Sequence, residues 1–280
     1  MTIRPLNDAV GVEILDLDLS ATLDDSDVSA IQDAFLEHHL LCFRTEPLPR
    51  KDFDRLARCF GEPQEQLLRH QRDGDVPTVS ILDSTYKTAA DKPDDMKQMR
   101  LTGWHTDDSY MALPAKATML QSLQIPDSGG QTGFSNTRKA YDDLTDDVKA
   151  HCEGLHAVHE YDTKRAPARA KGLLQVEKDE TPDVIHPLIR TNEESGKKAI
   201  YLNMNRTDQV EGMSREESDE LLNFLTAQMI RPEYHYHHEW RVGDLLLWDN
   251  RCLVHSVNMD FPVGQTRLHQ RILLKGVKPV

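Results

Sequence analysis

Hydrophobic positions along this chain recur with two periods, and the elements they predict are short. Residues 9–19 alternate loosely, with Val12, Ile14, Leu15, Leu17 and Leu19 set among acids, which suggests an opening strand. A helix is expected over about 26–39, with Ser26 as its N-cap and Ile31, Ala34, Phe35 and His38 at helical spacing. The apolar run 40–43 fits a buried strand. Pro49 then opens a second helix whose face is Phe53, Leu56, Ala57 and Phe60, with Gly61 as the closing glycine. Strands are expected at 79–82 and 117–123, the latter running into the turn Pro126-Asp127-Ser128-Gly129-Gly130. Residues 140–155 read as one helix with Thr145 as an internal cap, and 199–202 as a short strand. The clearest helix covers 214–230: Ser214 and Glu217 form a capping box, Leu221, Leu222, Phe224, Leu225 and Met229 supply the apolar face, and Pro232 follows. Strands are then expected at 233–241, 244–248, 251–257 and 267–275, with Asp249-Asn250 turning the second into the third.

Two long stretches lack an apolar period. Residues 83–103 deliver the chain to a histidine and read as a lid-like insertion, and 161–185 read as a second. Lys164, Arg165, Arg169 and Lys171 in the latter read by default as a solvated basic face. Strands at both ends, helices between them and no βα alternation predict a mainly β, α+β fold: a sheet-built core carrying helices outside it. No internal repeat is present, and the chain is read as one domain over 1–280.

Composition narrows the partners. The 280 residues carry a formal charge of -14, which excludes nucleic acid as the main partner because phosphate binding needs a basic face. No run of 18 apolar residues predicts a membrane span, and residues 1–15 lack the layout of a signal peptide. Cys42, Cys59, Cys152 and Cys252 are far apart without a CxxC pair, so they read as free thiols in a reducing cytoplasm.

The candidate chemistry starts at Gly103-Trp104-His105-Thr106-Asp107-Asp108. On an extended strand His105 and Asp107 would face one point, offering two-thirds of the 2-His-1-carboxylate triad of non-haem Fe(II) oxygenases. Asp108 would face the other way and is read as a structural residue. His255 sits between Leu253 and Val257 on one strand face and is the candidate third ligand. Arg267 and Arg271 share a face of the last strand, with His269 between them. Two inward guanidiniums need anions, and arginine is suited to clamp a carboxylate bidentately. Tyr234-His235-Tyr236-His237-His238 invites a second metal site, but the alternation suits a half-exposed strand better.

Together, Trp104-His105-Thr106-Asp107, Gly129-Gly130-Gln131-Thr132, Trp248-Asp249-Asn250-Arg251 with His255, and Arg267 with Arg271 resemble the taurine dioxygenase (TauD/TfdA) family of Fe(II)/2-oxoglutarate-dependent dioxygenases. Ala140-Tyr141, Gly154-Leu155, His159, the stretch 186–191 and Gly196-Lys197 also resemble family segments, so the likeness runs from about residue 5 to the C-terminus. It implies a double-stranded β-helix (jelly-roll) core with Fe(II) on His105, Asp107 and His255. It further implies Thr132 and Arg267 on the distal carboxylate of 2-oxoglutarate, and Arg271 at the boundary with an anionic substrate. The reaction implied consumes O2 and 2-oxoglutarate and releases succinate and CO2. Relatives are commonly dimers or tetramers, so a homo-oligomer is expected by analogy.

The substrate positions depart from the taurine-specific members. The histidine that helps those enzymes hold a sulfonate falls here on Gln66, with His70 several residues on. Their asparagine before the metal-binding tryptophan is Leu101, and a pocket aromatic aligns near Arg206. The expected substrate is therefore a small organic anion other than taurine: a sulfonate, sulfate ester, phosphonate or carboxylate. Two other readings share the three ligands, a jelly-roll that binds without turnover and a zinc hydrolase. Intact arginines argue against the first, and hydrolysis gives no reason for Arg267 and Arg271 against the second.

Overall fold

The computed structural model describes residues 1–88, 103–165 and 174–280. Its largest sheet runs Thr2–Pro5, Val12–Leu15, Leu40–Phe43, Leu245–Asp249, Ala117–Gln124, Leu268–Leu274 and Pro63–Gln64, with Ser80–Asp83 also paired to Leu268–Leu274. A second sheet, His235–His238, Thr132–Asn136 and Leu253–Val257, faces it. Strand alternation sorts the side chains between two cores. Leu245, Leu247, Met119, Ile272 and Leu274 point outward onto the helices Asp25–His38 and Arg50–Ala57, where they meet Ile31, Phe35, Phe53 and Leu56. Leu246, Trp248 and Leu120 point inward and meet Phe134 and Leu253 of the second sheet, with the Phe134 and Trp248 rings edge-on at 5.3 Å. This sandwich is the jelly-roll core. The inward face of the same strands carries the polar exceptions Thr118, His269 and Arg271, and they place the site.

The helix Arg215–Met229 covers the far side, packing Leu222, Leu225 and Met229 against Ile200, Leu202 and Val210. Its predicted capping box is present: Ser214 Oγ accepts from the Glu217 N–H, and Glu217 Oε2 accepts from the Ser214 N–H at 3.0 Å.

Several local expectations are corrected. Helix Asp25–His38 is capped by Asp24, not Ser26. The Asp24 carboxylate accepts from the Asp27 N–H at 2.8 Å and from the Ser26 hydroxyl at 2.7 Å, so the stronger acceptor wins the cap. Gly61 does not close the second helix, which ends at Ala57. Its last carbonyls are satisfied by tightened turns from the Cys59 and Phe60 N–H groups to Leu56 and Ala57. The single helix at 140–155 is two, Thr137–Asp142 and Asp146–Cys152, because Thr145 takes an extended backbone to cap the second. The opening segment is a hairpin of Thr2–Pro5 with Val12–Leu15, and 161–185 holds a short helix, Gln175–Asp179, and the start of the strand Val184–Pro187. Most of the expected lid at 83–103, and Arg169 and Lys171, lie outside the described residues. Among the described residues no helix is long and apolar enough to cross a membrane.

Candidate active site

His105 and His255 come from distant parts of the chain and meet as an isolated antiparallel bridge, N–H to carbonyl in both directions at 2.9 and 2.8 Å. Their imidazole centroids are 4.2 Å apart. Asp107 closes the triangle: Oδ1 lies 3.9 Å from His105 Nε2, and Oδ2 lies 3.9 Å from His255 Nε2. One donor atom from each residue falls within 4.8 Å of the others. His105 is held by a bridge and Asp107 lies in the turn that follows, so the pair shares a point through that turn and not through a regular strand.

The surroundings suit metal ligation. Gly103 O lies 2.8 Å from His105 Nδ1, which places the ring proton there and leaves Nε2 as the donor. Burial is the main force that lowers the pKa of both histidines, to about 3 for His255, so both imidazoles are neutral. Burial pushes the Asp107 carboxyl up, but His255, Arg271 and His105, with the Thr118 hydroxyl, outweigh it and hold the group ionised. Thr118 Oγ1 donates to Asp107 Oδ2 at 2.5 Å. Asn250 Nδ2 donates to that hydroxyl at 2.8 Å, and Trp248 Nε1 donates to Asn250 Oδ1 at 3.0 Å. The Trp-Asp-Asn-Arg motif thus grips the carboxylate from behind. Thr118 and Asn250 add to the residues picked out by the sequence reading: the signal for Thr118 is a polar residue at an inward strand position, and that for Asn250 is its place in the Trp248-Asp249-Asn250-Arg251 motif.

Arg267 is buried, 3% exposed. Its Nε donates to Gly130 O at 3.1 Å and its Nη2 to Thr132 Oγ1 at 3.2 Å. Trp240 Nε1 also donates to Thr132 Oγ1, at 3.0 Å. Gly130 has a positive φ of 72°, and a Cβ there would lie 3.4 Å from Arg267 Cδ, so glycine lets the guanidinium approach the loop. No carboxylate pairs with Arg267 among the described residues, and burial pushes its pKa down to about 10.

In front of His105 and Asp107 opens a cavity of about 340 Å³. Arg271, Arg206 and Gln66 all line it. Arg271 Nη2 donates to Gln66 Oε1, and Nη1 lies 3.9 Å from Asp107 Oδ1. His70 is exposed on the short turn Arg69–Gln71 and is absent from the lining, where Gln71 takes part instead. Leu101 lies outside the described residues. Asp108 does line the cavity, against the simple alternation argument, because its φ of 54° turns the chain. Gln64 Nε2 and the Tyr110 hydroxyl donate to its carboxylate at 2.7 and 2.9 Å.

A second buried donor cluster, His39, Asp249 and Cys252, is also present. The Asp249 carboxylate is already taken by a bidentate contact from Arg251, at 2.8 and 2.7 Å, which makes this a folding element. His235 and His237 do share a strand face, but they pack against Trp104, with centroids 4.7 and 6.4 Å from its ring.

Comparison with known proteins follows this geometry. The profile described as "Taurine catabolism dioxygenase TauD, TfdA family" matches residues 2–273. An alkylsulfatase of Acinetobacter baylyi is 34% identical, covering 99% of this chain and 85% of the relative. An (S)-phenoxypropionate/alpha-ketoglutarate-dioxygenase of Sphingobium herbicidovorans is 32% identical, over 96% of this chain and 94% of its own. The crystal structure of a taurine dioxygenase from Burkholderia xenovorans superposes with a TM-score of 0.84 at 26% identity, covering 100% of this chain and 90% of that one.

Proposed function

Because the chain belongs to the TauD/TfdA family and is a 2-oxoglutarate-dependent dioxygenase, we propose that it uses Fe(II) to hydroxylate a small organic anion. In this reading His105, Asp107 and His255 hold the metal, Thr132 and Arg267 hold the distal carboxylate of 2-oxoglutarate, and Arg271 stands between co-substrate and substrate. The donor set fits ferrous iron: two neutral imidazole nitrogens and one ionised carboxylate would hold the ion, and His105 and Asp107 line the cavity. When bound there, the metal supplies dioxygen activation coupled to oxidative decarboxylation of the 2-oxo acid to succinate and CO2.

The observation that carries the proposal is Arg267. A buried guanidinium that has only a carbonyl and a hydroxyl for partners among the described residues suits an incoming carboxylate. Thr132 Oγ1 accepts from both Arg267 and Trp240, which uses both lone pairs and leaves its proton to donate. A carboxylate beside it would receive a hydroxyl and a guanidinium N–H together. The remaining residues orient and dry the site. Gly103 sets the His105 tautomer, Thr118 fixes Asp107, and the Trp248 and Phe134 rings, 4.7 and 6.2 Å from the His255 ring, exclude water behind it.

The relatives' names, an alkylsulfatase and a phenoxypropionate dioxygenase, support an anionic substrate. The cavity arginines support it as well. Gln66 at the sulfonate-binding histidine position supports a substrate other than taurine. Cytoplasmic residence is supported by four free cysteines.

The test is anaerobic addition of Fe(II) and 2-oxoglutarate, which should give a weak visible charge-transfer band that EDTA abolishes and His255→Ala never forms. Succinate release across a substrate panel should favour anions. Preference for taurine or for a cationic amine defeats the substrate assignment.

A further inference from the structure

Resting on the dioxygenase reading above, we infer that Arg206 is the specificity-determining residue of the substrate site. With Arg271 and Gln66 it forms a cradle for a tetrahedral oxyanion head group, that of an alkyl sulfate monoester.

Arg206 is buried in the turn before the strand Thr207–Val210 and lines the cavity. Its guanidinium lies 4.1 Å from the Tyr161 ring centroid and 4.8 Å from that of Tyr110, and Nη1 donates to the Tyr161 carbonyl. The two rings meet edge-on at 4.9 Å. Tyr110 is itself anchored, its hydroxyl donating to Asp108 at 2.9 Å. An arginine gripped on ring faces is fixed before any ligand arrives, so it loses little rotamer freedom on binding.

Gln66 provides the independent observation. It is 5% exposed, and its Oε1 is taken by Arg271, which fixes the orientation of the amide. Among the described residues its Nε2 has no acceptor, nor does Arg271 Nε. A buried amide nitrogen left without an acceptor, on a residue that lines a cavity, calls for one. Three donor-bearing residues line one cavity from three elements: Gln66 from the loop after Pro63–Gln64, Arg206 from the turn before Thr207–Val210, and Arg271 from the inner face of Leu268–Leu274. A planar carboxylate is satisfied by one arginine fork in its own plane. A sulfate head presents three terminal oxygens around a cone, and a cradle built from three directions matches it. Leu67, Leu68 and Leu82 line the same cavity and suit an alkyl chain.

The reaction balances. An ester R–CH2–O–SO3⁻ with 2-oxoglutarate and O2 gives R–CH(OH)–O–SO3⁻, succinate and CO2. The hydroxylated ester then breaks its C–O bond to the sulfate. The hydroxyl loses its proton, and R–CHO and HSO4⁻ result.

The experiment compares n-hexyl sulfate with heptanoate, in wild type and in Arg206→Gln. It measures Kd by calorimetry in the anaerobic Fe(II)·2-oxoglutarate complex and kcat/KM by succinate release. Wild type should favour hexyl sulfate at least about 10-fold. Arg206→Gln should lose roughly 100-fold on hexyl sulfate and about 10-fold or less on heptanoate, as expected for removing charge-assisted hydrogen bonds. The charge-transfer band should be kept. Equal losses on both probes, an unchanged hexyl sulfate Kd, or a wild-type preference for heptanoate would overturn the cradle. Should Arg206→Gln not fold, Arg206→Lys decides by the same criterion, loss confined to the sulfate supporting the cradle. Absence of both band and succinate in wild type instead overturns the dioxygenase reading beneath it.

Discussion

Arg251 and Arg267 are both buried in the β-sandwich, and their surroundings differ in one respect. Arg251 forks onto Asp249 and reaches Glu193 and Glu194 with Nη1. Burial lowers its pKa, but those three carboxylates outweigh it and drive the value above the ordinary arginine range. Among the described residues the Arg267 guanidinium meets only a carbonyl and a hydroxyl, and burial brings its pKa down to about 10. The first guanidinium has its anions built in and holds the turn that carries Asn250 and the approach to His255. The second has no such anion among the described residues. Burial by itself does not distinguish a structural arginine from a binding one; the partner list does.

The largest expected effect follows from the saturated side. Arg251→Ala should cost about 3–5 kcal/mol in urea denaturation, because Asp249 is left as an uncompensated buried charge. Arg267→Gln should stay within about 1 kcal/mol of wild type in the same measurement. Equal destabilisation by the two would erase the contrast.

Function should show the reverse order. Arg267→Gln should raise KM for 2-oxoglutarate roughly 100-fold, the loss of a charge-assisted contact, while Arg251 variants that remain folded should change it little. In wild type, anaerobic Fe(II) with 2-oxoglutarate should raise Tm, and in Arg267→Gln that rise should largely vanish.

Acid acts on the Arg251 side through His39. Its pKa is lowered to about 4, mainly by burial, with Arg138 and Arg251 adding to the effect against the pull of Asp249. The unfolded chain then binds a proton below the ordinary histidine pKa that the folded chain refuses. The contribution of His39 is present in full above pH 6.5 and is lost as pH falls toward 4. The slope it adds is about 1.4 kcal/mol per pH unit. His39→Gln should flatten that part of a stability-versus-pH curve, and an unchanged slope would remove His39 from the account.

The smallest effect tests how Arg267's partner is held. Trp240 packs between the His238 and His269 rings at 4.7 Å each and donates to Thr132. Trp240→Phe keeps the ring but drops the N–H, and should raise KM for 2-oxoglutarate only a few-fold. A change as large as that of Arg267→Gln would mean the indole does more than orient a hydroxyl.

Much of this arrangement was legible in the chain because strand alternation is a rule of local geometry. A period of two sends Leu245 and Leu247 to one face and Leu246 and Trp248 to the other, and it sets Arg271 inward whatever the partner sheet is. Capping chemistry likewise placed the helix Arg215–Met229, since Ser214 and Glu217 satisfy each other within four residues. The same local rules failed where two similar residues competed, as with Asp24 and Ser26, and where one left-handed residue reversed a side, as at Asp108.

What only the tertiary structure decided is who meets whom. That His105 bridges His255, that Thr118 steadies Asp107, that Arg251 finds Glu193 while Arg267 finds no acid among the described residues, and that Tyr110 and Tyr161 close on Arg206 all depend on contacts between residues from about ten to more than a hundred positions apart. The sequence carries the residue types and the face each one takes. Pairing across sheets depends on how the sheets stack and where the loops return, and no local period encodes that.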